Sequence, residues 1–291
     1  MPNQKRVAAI HDISCFGRCS LTVALPILSA AGIETPVIPT AVLSTHTGGF
    51  TGFTYRDLTE DIRPVIDHWR SLNLGFDAVY TGFLGSFEQI SIVSDCFDLM
   101  KTFGEQSDRV PLIVVDPVMA DDGKLYSIFP ETFPNEMRKL CSKADVIVPN
   151  VTEASLLLGL SYHDGPYTQK EIGDMLIGLS RLGPKQVVIT GVSYDGEQLG
   201  AASYNASTGE SAYAAEKRID PMYHGTGDVF ASALTAALLY GTGLAQACEV
   251  AVRFTVDAIA RTKAAETDRR FGVNFEEGLA SLRALIAAAG D

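Results

Sequence analysis

The sequence predicts an α/β protein with a mostly parallel central sheet and an antiparallel hairpin at one edge. Short runs rich in β-branched residues alternate with longer amphipathic segments, which is the pattern of repeated βαβ units. Two further strand-like runs flank the turn 205–209 and are followed by helical patterns alone. A hairpin in that place closes a mixed sheet at its edge.

The predicted strands and helices follow one another in order along the chain. Strands are predicted at 6–13, 36–43, 77–83, 112–116, 145–148 and 186–190, with hairpin strands at 199–204 and 211–215. Helices are predicted at 21–31, 58–72, 90–102, 134–142 and 170–182, and helical patterns continue from Gly227 onward. Because no repeat, low-complexity tract or flexible linker interrupts this order, a single domain spanning residues 1–291 is predicted.

Composition narrows the class of function. The 291 residues are 46% hydrophobic and carry a formal net charge of −12, which permits a sizeable core and argues against binding nucleic acid through a basic face. The five cysteines are scattered without a Cys-X-X-Cys pair, so a structural zinc site is not indicated and a cytoplasmic location is expected. No apolar run is long enough to cross a bilayer, so no membrane partner is expected.

A glycine-rich turn precedes the helical pattern 229–240. Gly225 and Gly227 carry no Cβ, so phosphate oxygens can approach the peptide N–H groups, and the start of a helix favours negative charge. Asp228 beside such an anion cradle indicates a group that accepts a proton from an attacking hydroxyl. The alternative is that Thr226 or Asp228 simply caps the helix. The turn therefore indicates either phosphoryl transfer or an ordinary helix start.

Two other phosphate-binding motifs do not match this sequence. A dinucleotide fingerprint needs a small residue where Phe230 stands and belongs in an early βα unit. A Walker A loop needs Ser or Thr after Gly-Lys, but Leu125 follows Gly123-Lys124. Both motifs are excluded.

Polar side chains follow two predicted strands at the sheet edge where α/β proteins bind ligands. Asp116 ends one strand and Asp121 follows it, while Asn150 and Glu153 follow the next strand. Their oxygens suit Mg²⁺, which takes one or two protein carboxylates and fills its other positions with water and substrate phosphates. The alternatives are a solvated turn for the aspartates and a helix cap for Asn150 with Glu153. The coincidence with the anion cradle favours an Mg-ATP site.

On these motifs the chain resembles the ribokinase-like superfamily and, within it, the pyridoxal kinase family, over nearly its whole length. The segment 225–228 resembles the oxyanion turn, which implies that Asp228 is catalytic with Gly225, Thr226 and Gly227. The segments 116–126, 149–154 and 188–191 are similar to those that bind nucleotide and cation. The resemblance implies metal ligation by Asp116, Asn150 and Glu153, and ATP binding by Asp116, Asp121, Tyr126, Asn150, Thr190, Gly191, Gly225 and Gly227.

The N-terminal half resembles the acceptor-binding part of the same family. The resemblance implies that the substrate contacts Ser14, His46, Thr47, Phe83 and Asp228. Two residues depart from the family pattern, because Thr45 stands where Asn is usual and Phe83 stands where Tyr is usual. The hydrogen bond that a tyrosine would give therefore cannot come from Phe83. For His46 and His224, a structural histidine with satisfied hydrogen bonds is the alternative to a catalytic one.

The resemblance implies a ribokinase-like three-layer α/β/α sandwich and an ATP-dependent kinase. The expected reaction phosphorylates the 5'-hydroxymethyl group of pyridoxal and related B6 vitamers, giving pyridoxal 5'-phosphate and ADP, with Asp228 as general base. Mg²⁺ is the expected cofactor, a monovalent cation such as K⁺ is a second one, and a homodimer is implied. The alternatives are a hydroxymethylpyrimidine or small-sugar kinase of the same superfamily, or a non-catalytic nucleotide- or vitamin-binding protein.

Overall fold

The computed structural model describes residues 4–102 and 110–290, in which a nine-stranded sheet lies between two layers of helices. The strands are β1 (Val7–Ser14), β2 (Val37–Leu43), β3 (Tyr55–Asp57), β4 (Ala78–Thr81), β5 (Leu112–Val115), β8 (Val146–Ile147), β9 (Gln186–Val192), β10 (Gln198–Asn205) and β11 (Glu210–Lys217), and a separate two-stranded ribbon pairs β6 (Ala120–Asp121) with β7 (Lys124–Leu125). The predicted α/β/α sandwich is confirmed.

The helices cover the two faces of the sheet. They are α1 (Leu21–Ala30), α2 (Thr59–Ser71), α3 (Phe87–Lys101), α4 (Phe133–Cys141), α5 (Val151–Leu158), α6 (Gln169–Ser180), α7 (Thr226–Leu239), α8 (Leu244–Ala264) and α9 (Leu279–Gly290). One core contains apolar residues of α2 to α6, and the other contains those of α1, α7, α8 and α9. None of these helices is both long and apolar enough to span a membrane.

The central strands read as continuous apolar runs because both of their faces are buried. In β5, Ile113 and Val115 belong to the core beneath α2 to α6, whereas Val114 belongs to the opposite core. The same alternation places Val187 and Val188 of β9 in different cores. Burial on both faces is typical of parallel strands covered by crossover helices.

The strand order places a switch point at β1. The sheet runs β11-β10-β9-β8-β5-β4-β1-β2-β3, so β1 lies between β2 and β4 and is parallel to both. The chain moves from β1 to β2 in one direction and then crosses back to β4. At such a point the carboxyl ends of neighbouring strands open a crevice in which α/β proteins bind ligands. The predicted substrate contacts Ser14, His46, Thr47 and Phe83 lie at or just beyond the carboxyl ends of these strands.

The structure corrects several predicted elements. The edge strand β3, the ribbon β6–β7 and the helix α5 were not among the predicted elements. In the ribbon, Asp122 and Gly123 have φ of 49° and 74°, values that a tight Asp-Gly hairpin turn requires. The prediction that the chain is helical from Gly227 onward was wrong for 266–278, which contains only short 3₁₀ turns. The positive φ of Glu266 and Gly272 interrupts the helical path there.

Candidate active site

The glycine-rich turn forms the start of α7. Gly225 has φ 76° and ψ 0°, and an added Cβ would clash with the carbonyl oxygen of Arg18. No side chain caps this helix, and the Thr226 hydroxyl donates instead to the carbonyl oxygen of Tyr223 at 3.3 Å. The alternative in which Thr226 or Asp228 caps α7 is therefore wrong. The first N–H groups of α7 remain available to an anion.

Asp228 lies half-buried in the first turn of α7, close to β1 and to the start of α1. Burial raises the pKa of its carboxyl to about 7, the negative charge of Asp12 raises this pKa further, and the backbone N–H of Ser20 opposes both effects. A carboxyl with this pKa titrates near neutral pH. Such a group can accept a proton from an alcohol once it has ionised.

Asp12 and Ser20 surround Asp228 but were missed by the sequence analysis. Asp12 is only 4% exposed, burial raises the pKa of its carboxyl, and the side chains of Ser20 and Ser14 lower it. Ser20 has φ 57°, a strained value for a residue with a Cβ. The available signal was a charged residue inside the apolar run 6–13, because a buried carboxylate requires a partner or a task.

Ser14, a predicted substrate contact, is buried and hydrogen-bonded to Asp12. Its side chain is fully buried, and its hydroxyl donates to Oδ2 of Asp12 at 3.2 Å. Ser14 therefore acts on Asp12 in this structure, and its direct contact with substrate stays a prediction.

Asp116 and Glu153 form a buried acidic pair near Asp228. The Glu153 carboxylate accepts from the backbone N–H groups of Met119 (3.0 Å), Ala120 (3.4 Å) and Asn150 (2.9 Å), which counteract part of the rise in its pKa to about 8 on burial. Burial raises the pKa of Asp116 well above its usual range, and the charges of Glu153 and Asp228 raise it further. The acidic pair is unfavourable without a cation or a proton.

The helix-cap alternative for Asn150 and Glu153 is confirmed. Asn150 Oδ1 accepts from the N–H of Glu153 at 2.8 Å, completing a capping box at the start of α5. Asn150 Nδ2 donates to the carbonyl oxygen of Ala120 at 2.8 Å. Both polar ends of Asn150 therefore have backbone partners, and its role as a metal ligand stays a prediction.

The donor set around Asp116 fits Mg²⁺ held together with phosphates. Within residues 4–102 and 110–290, no group of three or more His, Cys, Asp or Glu side chains could hold a metal ion alone. In the same ranges, no hydrogen-bond donor contacts the Asp116 carboxylate. One or two carboxylates completed by water and phosphate oxygens is the arrangement that Mg²⁺ commonly takes.

The ribbon β6–β7 lies within electrostatic range of His224, the residue before the glycine-rich turn. Burial and the charge of Asp122 raise the pKa of Asp121, whereas the Asp122 N–H and His224 lower it. Burial raises the pKa of Tyr126, and the carboxylates of Glu153 and Asp121 raise it further. The predicted ATP-binding residues of this segment therefore lie within electrostatic range of the acidic pair and of the turn.

Thr190 and Gly191 lie at the carboxyl end of β9, beside the start of α5. Thr190 bridges to Asn150, and its N–H donates to the carbonyl oxygen of Pro149 at 3.0 Å. Gly191 has φ 75° and open space where a Cβ would stand. The structure thus brings this segment next to the predicted cation segment.

His46 has backbone partners at both ring nitrogens. Its Nε2 lies 2.6 Å from the carbonyl oxygen of Arg270, and the N–H of Gly48 donates to its Nδ1 at 3.1 Å. Because Nδ1 accepts, the proton is on Nε2, and burial lowers the pKa of the ring. Both ring nitrogens of His46 are satisfied, as the structural alternative predicts, and its substrate contact stays a prediction. Thr47 beside it is exposed, and its substrate contact also stays a prediction.

Three phenylalanines from separate segments form an aromatic rim beside this histidine. The ring centroids of Phe16 and Phe271 lie 5.0 Å apart, and those of Phe50 and His46 also lie 5.0 Å apart. The His46 ring lies 5.4 Å from His224, next to the glycine-rich turn. This rim lies near the glycine-rich turn, and no local motif in the sequence indicated it.

A cavity of about 500 Å³ lies elsewhere, between α5, α6 and the connection 160–167. Leu158, His163, Tyr167 and Glu171 are among its lining residues. It contains none of the predicted site residues. The chemistry described above lies instead in the open crevice at the carboxyl edge of the sheet.

Comparison with known proteins points to one group of kinases. The family model described as phosphomethylpyrimidine kinase matches residues 27–272. A pyridoxine/pyridoxal/pyridoxamine kinase of Bordetella avium is 27% identical over 275 residues, covering 90% of this chain and 86% of that protein.

Solved structures give the same result. A protein of Bacteroides thetaiotaomicron assigned as a phosphomethylpyrimidine kinase, crystallised with pyridoxal, superposes with a TM-score of 0.89 and 40% identity, covering 96% of each chain. Pyridoxal kinase from Lactobacillus plantarum superposes with a TM-score of 0.84 and 33% identity, covering 99% of each chain.

Proposed function

This chain belongs to the phosphomethylpyrimidine kinase family of ribokinase-like enzymes and is an ATP-dependent kinase, and we propose that its acceptor is the 5'-hydroxymethyl group of pyridoxal and related B6 vitamers. The products are pyridoxal 5'-phosphate and ADP when pyridoxal is the acceptor. The Bacteroides relative crystallised with pyridoxal supports this substrate class.

A single observation carries the proposal. Asp228 lies in the first turn of α7 beside uncapped backbone N–H groups, and burial raises the pKa of its carboxyl to about 7. A helix start attracts phosphate, and a carboxylate next to a bound phosphate is unfavourable because the two charges repel, unless the carboxylate has a task. Accepting a proton from the attacking alcohol is such a task.

The mechanism follows from these positions. The ionised Asp228 orients the acceptor hydroxyl and takes its proton as the oxygen attacks the γ-phosphorus in line. The N–H groups at Gly225, Thr226 and Gly227 stabilise the negative charge on the transferred phosphoryl group. No covalent bond to the protein forms in this reaction, so positioning of the two substrates accounts for most of the rate enhancement.

An ATP-dependent kinase requires a divalent metal, and we propose Mg²⁺ as that metal here. Asp116 would hold the metal together with phosphate oxygens. Asn150 and Glu153, which lie near Asp116, are the other proposed metal residues. When bound, the metal neutralises the β- and γ-phosphate charge. A monovalent cation such as K⁺ is a further proposal, which activity in K⁺ against tetramethylammonium buffer would check.

The ATP-binding residues Asp121, Tyr126, Thr190 and Gly191 and the acceptor contacts Ser14, His46, Thr47 and Phe83 are part of this proposal. Their places in the crevice support it, because the first set lies toward the acidic pair and the second toward β1, β2 and β4. The single domain, the homodimer and the cytoplasmic location are also proposals. The continuous sheet supports the first, and the five free cysteines support the last.

A substrate panel tests the function. ADP release with Mg-ATP is measured for pyridoxal, pyridoxine, pyridoxamine, hydroxymethylpyrimidine and ribose. We expect kcat/KM to be highest for a B6 vitamer. Preference for hydroxymethylpyrimidine would support the alternative that the family description suggests. Vitamer binding without ADP release would instead indicate a non-catalytic binding protein.

A further inference from the structure

Tyr55 lies on the edge strand β3, and its hydroxyl reaches the segment that follows β4. An added Cβ on Gly85 would lie 2.5 Å from the Tyr55 hydroxyl oxygen and 3.6 Å from Cε1 of Phe83. The hydroxyl and the Phe83 ring therefore flank the same point at the carboxyl end of β4. Tyr55 is 44% exposed, so a ligand in the crevice can reach it.

A buried hydrogen-bond network joins strand β3, on which Tyr55 lies, to the segment after β4. Gln89, which is fully buried, donates to the carbonyl oxygen of Thr40 at 3.0 Å and to the hydroxyl of Thr59 at 3.0 Å. Its Oε1 accepts from the N–H of Gly85 at 2.7 Å, and its Nε2 lies 3.4 Å from Oδ2 of Asp57. Gln89 thus fixes the segment after β4 relative to strand β3.

The Tyr55 hydroxyl itself is only weakly engaged. It donates to Oδ2 of Asp57 at 3.5 Å, which is at the outer limit for a hydrogen bond. Asp57 is held more firmly elsewhere, because its Oδ1 accepts from the N–H of Thr59 at 2.7 Å. The hydroxyl can therefore turn to a better acceptor without disturbing Asp57.

The electrostatics agree with a neutral donor on the acceptor side of the crevice. Burial raises the pKa of Tyr55 to about 12, and the charges of Asp57 and Asp12 contribute to the rise. The influence of Asp12 is informative, because Asp12 is also the carboxylate that acts on Asp228. Tyr55 thus lies within electrostatic range of the carboxylate that also influences Asp228.

We propose that Tyr55 is a substrate contact, whose hydroxyl donates a hydrogen bond to a polar ring substituent of the aromatic acceptor and supplies the group that Phe83 lacks. This inference rests on the proposed function, since it assumes an aromatic alcohol bearing polar substituents. Among the residues discussed, Tyr55 would be the contact contributed by the edge strand. The sequence gives no motif for it.

The test compares three variants of the full chain with the wild type. Tyr55→Phe should raise the KM for pyridoxal about 5-fold, the effect of one neutral hydrogen bond, with little change in kcat or in the KM for ATP. Adding Phe83→Tyr to Tyr55→Phe should return the KM to within about 2-fold of the wild type, because the hydroxyl then comes from the opposite side of the same point. Tyr240→Phe is the matched control, since the Tyr240 hydroxyl donates to the carbonyl oxygen of Ala31, remote from the crevice.

A spectroscopic titration with pyridoxal, without ATP, gives a second readout and separates the possible failures. An unchanged Kd and KM in Tyr55→Phe would overturn this inference while leaving the proposed function in place. Equal losses in Tyr55→Phe and Tyr240→Phe would also overturn it, because they would indicate a general effect of losing a phenol. A wild-type protein that neither binds nor phosphorylates any B6 vitamer would overturn both.

Discussion

In the proposed site, the phosphate end of the crevice consists of backbone groups, whereas the acceptor end consists of side chains. At the phosphate end, the start of α7 offers uncapped N–H groups. The Glu153 carboxylate accepts hydrogen bonds from backbone N–H groups, and the Asn150 amide donates one to a backbone carbonyl oxygen. At the acceptor end, Asp12, Tyr55 and the aromatic rim come from segments far apart in the chain. Phosphate is the same in every ATP, so fixed amides suffice to bind it.

The difference predicts how each end should respond to substitution. Backbone groups cannot be removed by mutation but can be displaced, so glycine replacements should act mainly on phosphoryl transfer. Side chains can be deleted singly, so acceptor-end variants should act mainly on the KM for the acceptor. Asp228 lies between the two ends and should affect the chemical step most.

The largest effect is expected for Asp228→Asn. This variant keeps the shape of the side chain but removes the base, so kcat should fall by about 10²- to 10⁴-fold while the KM for ATP changes little. Asp257→Asn, the same replacement on the exposed surface of α8, is the control and should keep full activity. A kcat for Asp228→Asn equal to that of the control would mean that Asp228 is not the general base.

The next effect is expected for Gly225→Ala. The residue has φ 76°, and its new Cβ would clash with the carbonyl oxygen of Arg18, so the start of α7 must shift. Displacement of the cradle by about 1 Å should lower kcat/KM by about 100-fold. Steady-state kinetics and the Tm are measured together.

Gly241→Ala is a control that separates two effects of Gly225→Ala: the strain of a left-handed backbone and the displacement of the start of α7. Gly241 has φ 87° at the end of α7, but an added Cβ there meets nothing within 4 Å. This control should lose stability of about 1–2 kcal/mol from the left-handed backbone and keep its kcat/KM. Equal activity in the two variants would mean that the turn tolerates movement and that the cradle is not formed by it.

The smallest effect is expected in the pH profile. The raised pKa of Asp228, about 7, means that the carboxyl is protonated and inactive as a base at lower pH. The rate should therefore rise with pH through about 7, and at pH 6 it should be about one tenth of its plateau. Log kcat/KM for the acceptor against pH gives this value, because kcat/KM reports the pKa of the free enzyme.

Asp12→Asn sharpens the pH experiment. Removing the Asp12 charge should lower the pKa of Asp228 and move the acidic limb of the profile to lower pH, because that charge raises the pKa in the wild type. A limb that stays in place would mean that Asp12 does not act on the base.

Most of the sheet could be predicted from local patterns. The strands β1, β2, β4, β5 and β9 and the hairpin β10–β11 lie within a few residues of their predicted bounds. The central strands β4 and β5 are apolar on both faces, which gives a strong signal. The edge strand β3 was missed because all three of its residues are exposed, and the two-residue strands of the ribbon are too short for periodicity.

The sequence by itself determined the parallel core and the glycine-rich turn, because both depend on residues that are close together in the chain. Only the tertiary structure decided which polar groups meet. Asp12 reaches Asp228, and Tyr55 reaches Gly85, through sheet pairing and helix packing that join distant segments. Such contacts arise when separate elements pack, so their geometry cannot be read from the spacing of residues within any one element.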